Sequence, residues 1–161
     1  MCAQRRGEPA AAAQTMTTLI TNRKATFNHE ILETLDAGVE LLGFEVKALR
    51  GNRGSLESAY VTVRGDEAFL MSASIPAYQP KNTPTDYDPE RNRRLLLTKK
   101  EIASLAGNAK GLTIVPLSVY NVGRKIKVKL AIVRGKKHFD KRETIKSREA
   151  KRDLDRELKN R

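Results

Sequence analysis

The chain has 161 residues, enough for one domain with a tail at either end. Its formal net charge of +12 and pI of about 10.0 point to a polyanionic partner, nucleic acid before any other. One cysteine, Cys2, excludes an internal disulfide framework and a cysteine zinc site and fits a reducing, cytoplasmic compartment; no run of about eighteen apolar residues marks a membrane span. The basic segments also lack the broad apolar face of an interfacial helix, which disfavours a membrane surface as the anion.

Residues 1–17 have two arginines and an alanine run but no signal-peptide core, and read as a disordered leader with Met16 as an alternative initiator. Residues 18–133 hold nearly all the apolar periodicity. FNHEILETL (27–35) predicts a strand with Phe27, Ile31 and Leu35 on one face, Asp36-Ala37-Gly38 a tight turn, and VELLGF a returning strand. EVKALRG (45–51) is rich in helix formers and predicts a helix of about two turns stopped by Gly51. YVTV and AFLMSA flank Arg64-Gly65-Asp66-Glu67, a hairpin by turn chemistry.

Four prolines (76, 80, 84 and 89) make 74–93 a long loop that neither a bundle helix nor a central strand tolerates. RLLL follows as a short strand. In TKKEIASLAGNAKG, Thr98 and Glu101 form a capping box, and Ile102, Leu105, Ala106 and Ala109 line one face of a helix of roughly three turns. LTIVPLSVY (112–120) and KIKVKLAIV (125–133) are the clearest strands. Ile126, Val128, Leu130 and Ile132 face one way, while Lys125, Lys127 and Lys129 face the other at a spacing of about 7 Å. About six short antiparallel strands with one helix between the later ones predict a mainly β fold, a small closed OB-like barrel with one or two short helices.

Residues 134–161 form a basic C-terminal tail. Twelve Lys/Arg against six Asp/Glu leave it a net +6, half of the chain's excess. With so little apolar surface, it is expected to be disordered when free and to order against a partner. Residues 140–160 contain no Gly or Pro and many helix formers, so a helix near the folding threshold is the structure it would take.

Nothing in the chain assembles a catalytic constellation: the histidines are His29 and His138, and there is no metal-ligand spacing and no phosphate-cradling glycine loop. Asp36 with Asp86-Tyr87-Asp88 is a poor candidate for a metal-dependent nuclease. The chain is read as a non-enzyme, with no cofactor and no metal. Its basic groups are Asn22-Arg23-Lys24, Lys47 and Arg50 one helical turn apart, the row Lys125, Lys127 and Lys129, and Arg91, Arg93 and Arg94 after the proline loop. Each group taken singly reads equally well as a solvated face, and alternating lysine also discourages strand aggregation. Together with a basic tail, they point to RNA.

NRKA (22–25), DAGVELLGFEVKALRGNRGSLESAYV (36–61), RRLLLTKKEIASL (93–105) and GKKHFDKRETIKSREAKR (135–152) resemble the SmpB family, in order and spacing over 18–161. SmpB is bacterial small protein B, the SsrA or transfer-messenger RNA-binding protein. The resemblance implies a barrel that grips the tRNA-like domain of transfer-messenger RNA, as a monomer, with elongation factor Tu in the delivery complex. It also implies that the tail probes the decoding centre and empty mRNA channel of a stalled ribosome, against 16S rRNA. Asn22, Arg23, Lys24, Asp36, Gly38, Leu96 and Lys127 would grip RNA, joined on charge by Lys47, Arg50, Lys125 and Lys129. Lys136, Lys137, Phe139, Asp140, Lys141, Arg142, Ile145 and Lys146 would make the tail's ribosomal contacts, Phe139 by stacking on a base. The chain departs from the family pattern at Asp36 (usually Glu), at Phe27 and His29, and at Ala48 (usually Ser). Composition alone equally permits a ribosomal or rRNA-binding protein with an OB-like body and a basic extension.

Overall fold

The computed structural model describes residues 16–108, 111–136 and 138–159, with only the backbone described at 108 and 138–140. In chain order the elements are β1 (Met16–Thr21), α1 (Arg23–Asn28), β2 (His29–Val39), α2 (Gly43–Arg50), β3 (Tyr60–Arg64), β4 (Glu67–Met71), β5 (Arg93–Leu96), α3 (Lys99–Asn108), β6 (Thr113–Val122), β7 (Lys125–Gly135) and α4 (His138–Lys159). A 3-10 turn at Pro80–Asn82 lies in the proline loop. Residues 16 and 17, expected in the leader, belong to β1; the rest of that segment lies outside the described residues.

The hairpin β6–β7 organises the sheet. Gly123 and Arg124 join strands whose last pair is Val122 with Lys125, and the alternation foreseen in β7 holds on the inner side. Ile126, Val128, Leu130 and Ile132 are buried in the main core with Leu49, Leu70, Leu95, Leu105 and Val119. The outer side of β7 is divided. Lys125, Lys127 and Lys129 occupy its first half, and Ala131 and Val133 are buried in its second half with Ala25 of α1 and Val115. A helix thus covers part of a face that charge alternation assigned wholly to solvent.

The predicted strand at 27–35 and turn at 36–38 are corrected. Phe27 and Asn28 end α1, and β2 runs unbroken through Asp36-Ala37-Gly38, because β7 offers it a ladder from His29 to Gly38 and β5 pairs with its end. Paired on both edges, Gly38 is an extended strand residue. Ile31 and Leu35 do not share a face, since a bulge at Leu32 switches the register between Ile31 and Glu33. A second bulge in β6, between Pro116 and Ser118, lets a proline lie fully buried inside a central strand. VELLGF leads into α2 and is no strand.

The seven strands are all antiparallel, ordered β1-β6-β3-β4-β5-β2-β7, and β6 also pairs with β7. The β3–β4 hairpin and α2 form as the sequence predicts, the latter stopped at Gly51, whose N–H donates to Lys47 O and Ala48 O. Between α2 and β3, Gly54 has φ +136°, and a Cβ there would come 2.9 Å from Ile20 Cδ1 and 3.1 Å from Ser74 O. In α3 the capping box is present, with Thr98 N and Oγ1 both donating to Glu101 Oε2 at 2.7 and 2.8 Å. Ile102 and Leu105 are buried but Ala106 is exposed, so the apolar face is narrower than its spacing suggests; Ala109 lies outside the described residues. The tail carries a helix of 22 residues, α4, in this structure. Arg148 lies 5.4 Å from the centroid of the Phe27 ring, and Lys136 N donates to Asn28 O, which ties the start of the tail to the end of α1.

Candidate nucleic-acid interface

Strand register assembles part of the predicted site on the outer face. Leu96 on β5 stands opposite Gly38 on β2, Gly38 opposite Lys127 on β7, and Lys127 opposite Tyr120 on β6. One step along, Asp36 stands opposite Lys129, and Lys129 opposite Ser118. Leu96 is 58% exposed and leans over Gly38: a Cβ at position 38 would lie 3.2 Å from Leu96 Cβ. Positions drawn from three strands far apart in sequence thus form one patch of two cations, a carboxylate and an exposed apolar side chain.

At the hairpin end, Lys125 and Lys127 line a groove of about 430 Å³ with Val122, Gly123 and Arg124. Arg50 Nη2 donates to Arg124 O at 3.2 Å, which holds α2 against this turn and brings Arg50 beside Lys125. Lys47 is exposed on α2. Four basic side chains, Arg50, Arg124, Lys125 and Lys127, therefore flank the hairpin end, a field suited to phosphates.

The 22–24 group separates. Asn22 is 3% exposed: its Nδ2 donates to Leu56 O at 2.7 Å and to Pro116 O at 3.2 Å, and its Oδ1 accepts from Ala25 N as the cap of α1. It is a joint between β1, α1 and β6, not an exposed RNA ligand. Arg23 is exposed in the first turn of α1, and Lys24 Nζ lies 2.6 Å from Glu57 Oε2 in a solvated ion pair. His29 Nδ1 sits 3.2 Å from Ala25 O, a hydrogen bond that its Nδ1–H tautomer makes at the end of α1.

Of the post-loop arginines, Arg93 is internal and Arg91 is half-buried. Glu45 and Arg93 are both 0% exposed, and Glu45 Oε1 accepts from Arg93 Nη2 at 2.9 Å while its Oε2 accepts from Arg91 Nη2 at 2.7 Å. Tyr87 donates from its hydroxyl to Glu45 Oε1, and Leu42 N to Glu45 Oε2. Arg93 also donates to Ala73 O and Pro89 O. Burial pushes the Glu45 carboxyl up, but the Arg91 and Leu42 hydrogen bonds, the Arg93 charge and the Tyr87 hydroxyl outweigh it and bring it down to about 2. This knot fastens the proline loop to α2 and takes Arg93 off the surface, while Arg91 stays partly exposed with its charge paired to Glu45. Arg94 is exposed but paired with Glu67 at 2.8 Å. Among the described residues, no group of three or more His, Cys, Asp or Glu side chains is placed to hold a metal ion.

In the tail, Lys141 is half-buried, and Arg142, Ile145 and Lys146 are exposed on α4. Lys136 precedes it. Lys137 and the side chains of Phe139 and Asp140 lie outside the described residues.

The family model for SmpB protein matches residues 19–160. The chain belongs to the SmpB family. It is 46% identical to the SsrA-binding protein of Elusimicrobium minutum over 87% of this chain and 90% of that one. It is also 46% identical to the SsrA-binding protein of Thermosipho africanus, over 89% and 98% respectively. A solved chain from work on tmRNA–SmpB in the bacterial ribosome matches with a TM-score of 0.64 at 39% identity, over 76% of this chain and 87% of that one. In this SmpB chain the EVKALR block is α2 with its buried Glu45, and the RRLLL block is β5, whose alternate residues serve the knot (Arg93) and the outer patch (Leu96). Tyr120 and Glu45 are absent from the sequence-derived site, and Arg93 figures there only as a basic group after the proline loop. A two-residue turn at Gly123-Arg124 pairs 120 with 127 and brings Tyr120 into view; nothing local marks the knot at Glu45, since Tyr87, Arg91 and Arg93 lie more than 40 residues away.

Proposed function

We propose that this SmpB-family chain binds the tRNA-like domain of transfer-messenger RNA and delivers it to ribosomes stalled without a usable codon, so that trans-translation begins. The observation that carries this is the family match over nearly the whole chain, combined with the register that gathers Asp36, Gly38, Leu96, Lys127 and Lys129 on one outer face. The lysines neutralise phosphates and release counterions, while Asp36 and Leu96 meet groups that a bare phosphate run lacks. Lys125, Lys47, Arg50, Arg23 and Lys24 extend the cationic surface around it. We read the strand circuit as a closed OB-like barrel: β6-β3-β4-β5-β2-β7 returns to β6.

The tail is the sensor. A segment of net charge +6 is drawn into an mRNA channel walled by 16S rRNA phosphates when that channel is empty, and a resident message excludes it by volume. Lys136, Lys137, Phe139, Asp140, Lys141, Arg142, Ile145 and Lys146 make its contacts, with α4 the conformation that enters. Occupancy is read by competition for one space, with no bond made or broken by the protein. The chain works in the cytoplasm as a monomer on its RNA, within a delivery complex that includes elongation factor Tu.

Gel shifts at matched salt test the reading: the tRNA-like domain is expected to bind at least about tenfold tighter than bulk rRNA, a ratio meaningful only at fixed ionic strength. Equal affinity would favour an rRNA-binding protein instead.

A further inference from the structure

Tyr120 stands in the outer row between the lysines and β1, yet it is only 5% exposed. Its hydroxyl is the hydrogen-bond partner of the Asp36 carboxylate. Tyr120 is on β6 and Asp36 on β2, with β7 between them, so the phenol reaches its partner by lying across β7. Tyr120 faces Lys127 and Lys127 faces Gly38, which Leu96 covers; Asp36 stands one step along, opposite Lys129.

We propose that Tyr120 is a positioning residue of the RNA face: it fixes the Asp36 carboxylate between Lys127 and Lys129, aimed to accept a hydrogen bond from a nucleoside hydroxyl or base N–H while the lysines take the flanking phosphates. This rests on the reading that the face binds the tRNA-like domain. The physical need is specific to this site. An aspartate on a strand beside two ammonium groups is free to swing onto either, which would neutralise a phosphate-binding cation and withdraw the acceptor from RNA. A hydroxyl held from beneath supplies a fixed donor and leaves the carboxylate's remaining acceptor positions free. Burial, then the Asp36 hydrogen bond and charge, push the Tyr120 hydroxyl up to about 12, so it stays a donor throughout the physiological range.

The test compares the full chain with Tyr120→Phe, Asp36→Ala and the double variant, by gel shift against a transcript of the tRNA-like domain at several salt concentrations, alongside thermal melting. Tyr120→Phe removes only the hydroxyl and keeps the ring. We expect it to weaken binding roughly five- to tenfold with an unchanged slope of log affinity against log salt, and to have no further effect in the Asp36→Ala background. Affinity within twofold of the parent overturns the proposal, as does an equal loss in both backgrounds, which marks a purely structural tyrosine. A reduced salt slope for Tyr120→Phe also overturns it, because the lysines would then be what the hydroxyl arranges. If the parent prefers the tRNA-like domain but Asp36→Ala binds normally, this inference fails and the proposed function stands. If the parent shows no such preference, both fall.

Discussion

Asn22 has the sequence context of an RNA ligand, next to Arg23 and Lys24, but its amide is fully engaged inside the protein. Asn22→Ala removes a helix cap and strands two buried carbonyls, and should destabilise the fold by about 2 kcal/mol or more. Thermal melting checks this: a drop of several degrees is expected, and an unchanged curve would contradict the buried joint. Glu45 and Arg93 make a sharper case. Removing one member of a fully buried pair leaves the other uncompensated, so Arg93→Met should cost about 3–5 kcal/mol in denaturant unfolding. The same knot sets an acid limb. The Glu45 carboxyl is held at about 2 against an ordinary 4.5, so the unfolded chain takes up the proton first as pH falls. Its stabilisation is complete above about 4.5 and lost on the way down to 2. Melting temperatures between pH 5 and pH 2 should fall across that window, and Glu45→Gln should flatten this part of the profile.

At the scale of elements, the proposed division of labour between body and tail makes its own prediction. Truncation after Lys137 removes α4 and leaves the outer face intact, so affinity for transfer-messenger RNA should stay within a few-fold while peptide tagging is abolished. A large loss of binding in gel shift would show that the tail grips the same RNA. The elements also show what the sequence made legible. Where a local signal and its tertiary partner agree, the reading holds: the capping box of α3, the Gly51 stop of α2, and the lysine–aliphatic alternation of β7. It fails where a partner overrides the signal. Asp36-Ala37-Gly38 has turn composition, but two neighbouring strands claim its backbone groups, and extended pairing wins. Ile31 is turned to the outer face by a bulge that no periodicity announces. Likewise, α1 was hidden by a short segment whose apolar contacts lie on β6 and β7. The members Asp36, Gly38, Leu96 and Lys127 came from the family resemblance and the register sets them on one face, whereas Tyr120 needed the register to be seen at all.

For the whole molecule, the excess of +12 is distributed rather than uniform. Half belongs to the tail, and much of the remainder borders the β6–β7 hairpin, while Arg93 inside and the half-buried Arg91 are both paired with Glu45. Binding should therefore be strongly salt-dependent, with each phosphate-contacting lysine contributing about 0.7–0.9 to the slope of log affinity against log salt. Lys127→Ala and Lys129→Ala should each lower that slope by roughly this amount in titrations of the tRNA-like domain. Arg94→Ala should leave it unchanged, since that guanidinium already pairs with Glu67. A slope that responds equally to all three would mean the cations act as a diffuse cloud instead of a placed surface.

The bond from Lys136 N to Asn28 O anchors the root of α4 at the end of α1, which packs on the same outer side as the lysine row. A 22-residue helix rising from that root is a rod of about 33 Å. Under the proposed function this length sets how deep a vacancy the tail gauges, and the bond at Lys136 sets its compass bearing. One residue inserted there would turn every tail side chain by about 100°, whereas two whole turns added at the far end would only lengthen the ruler.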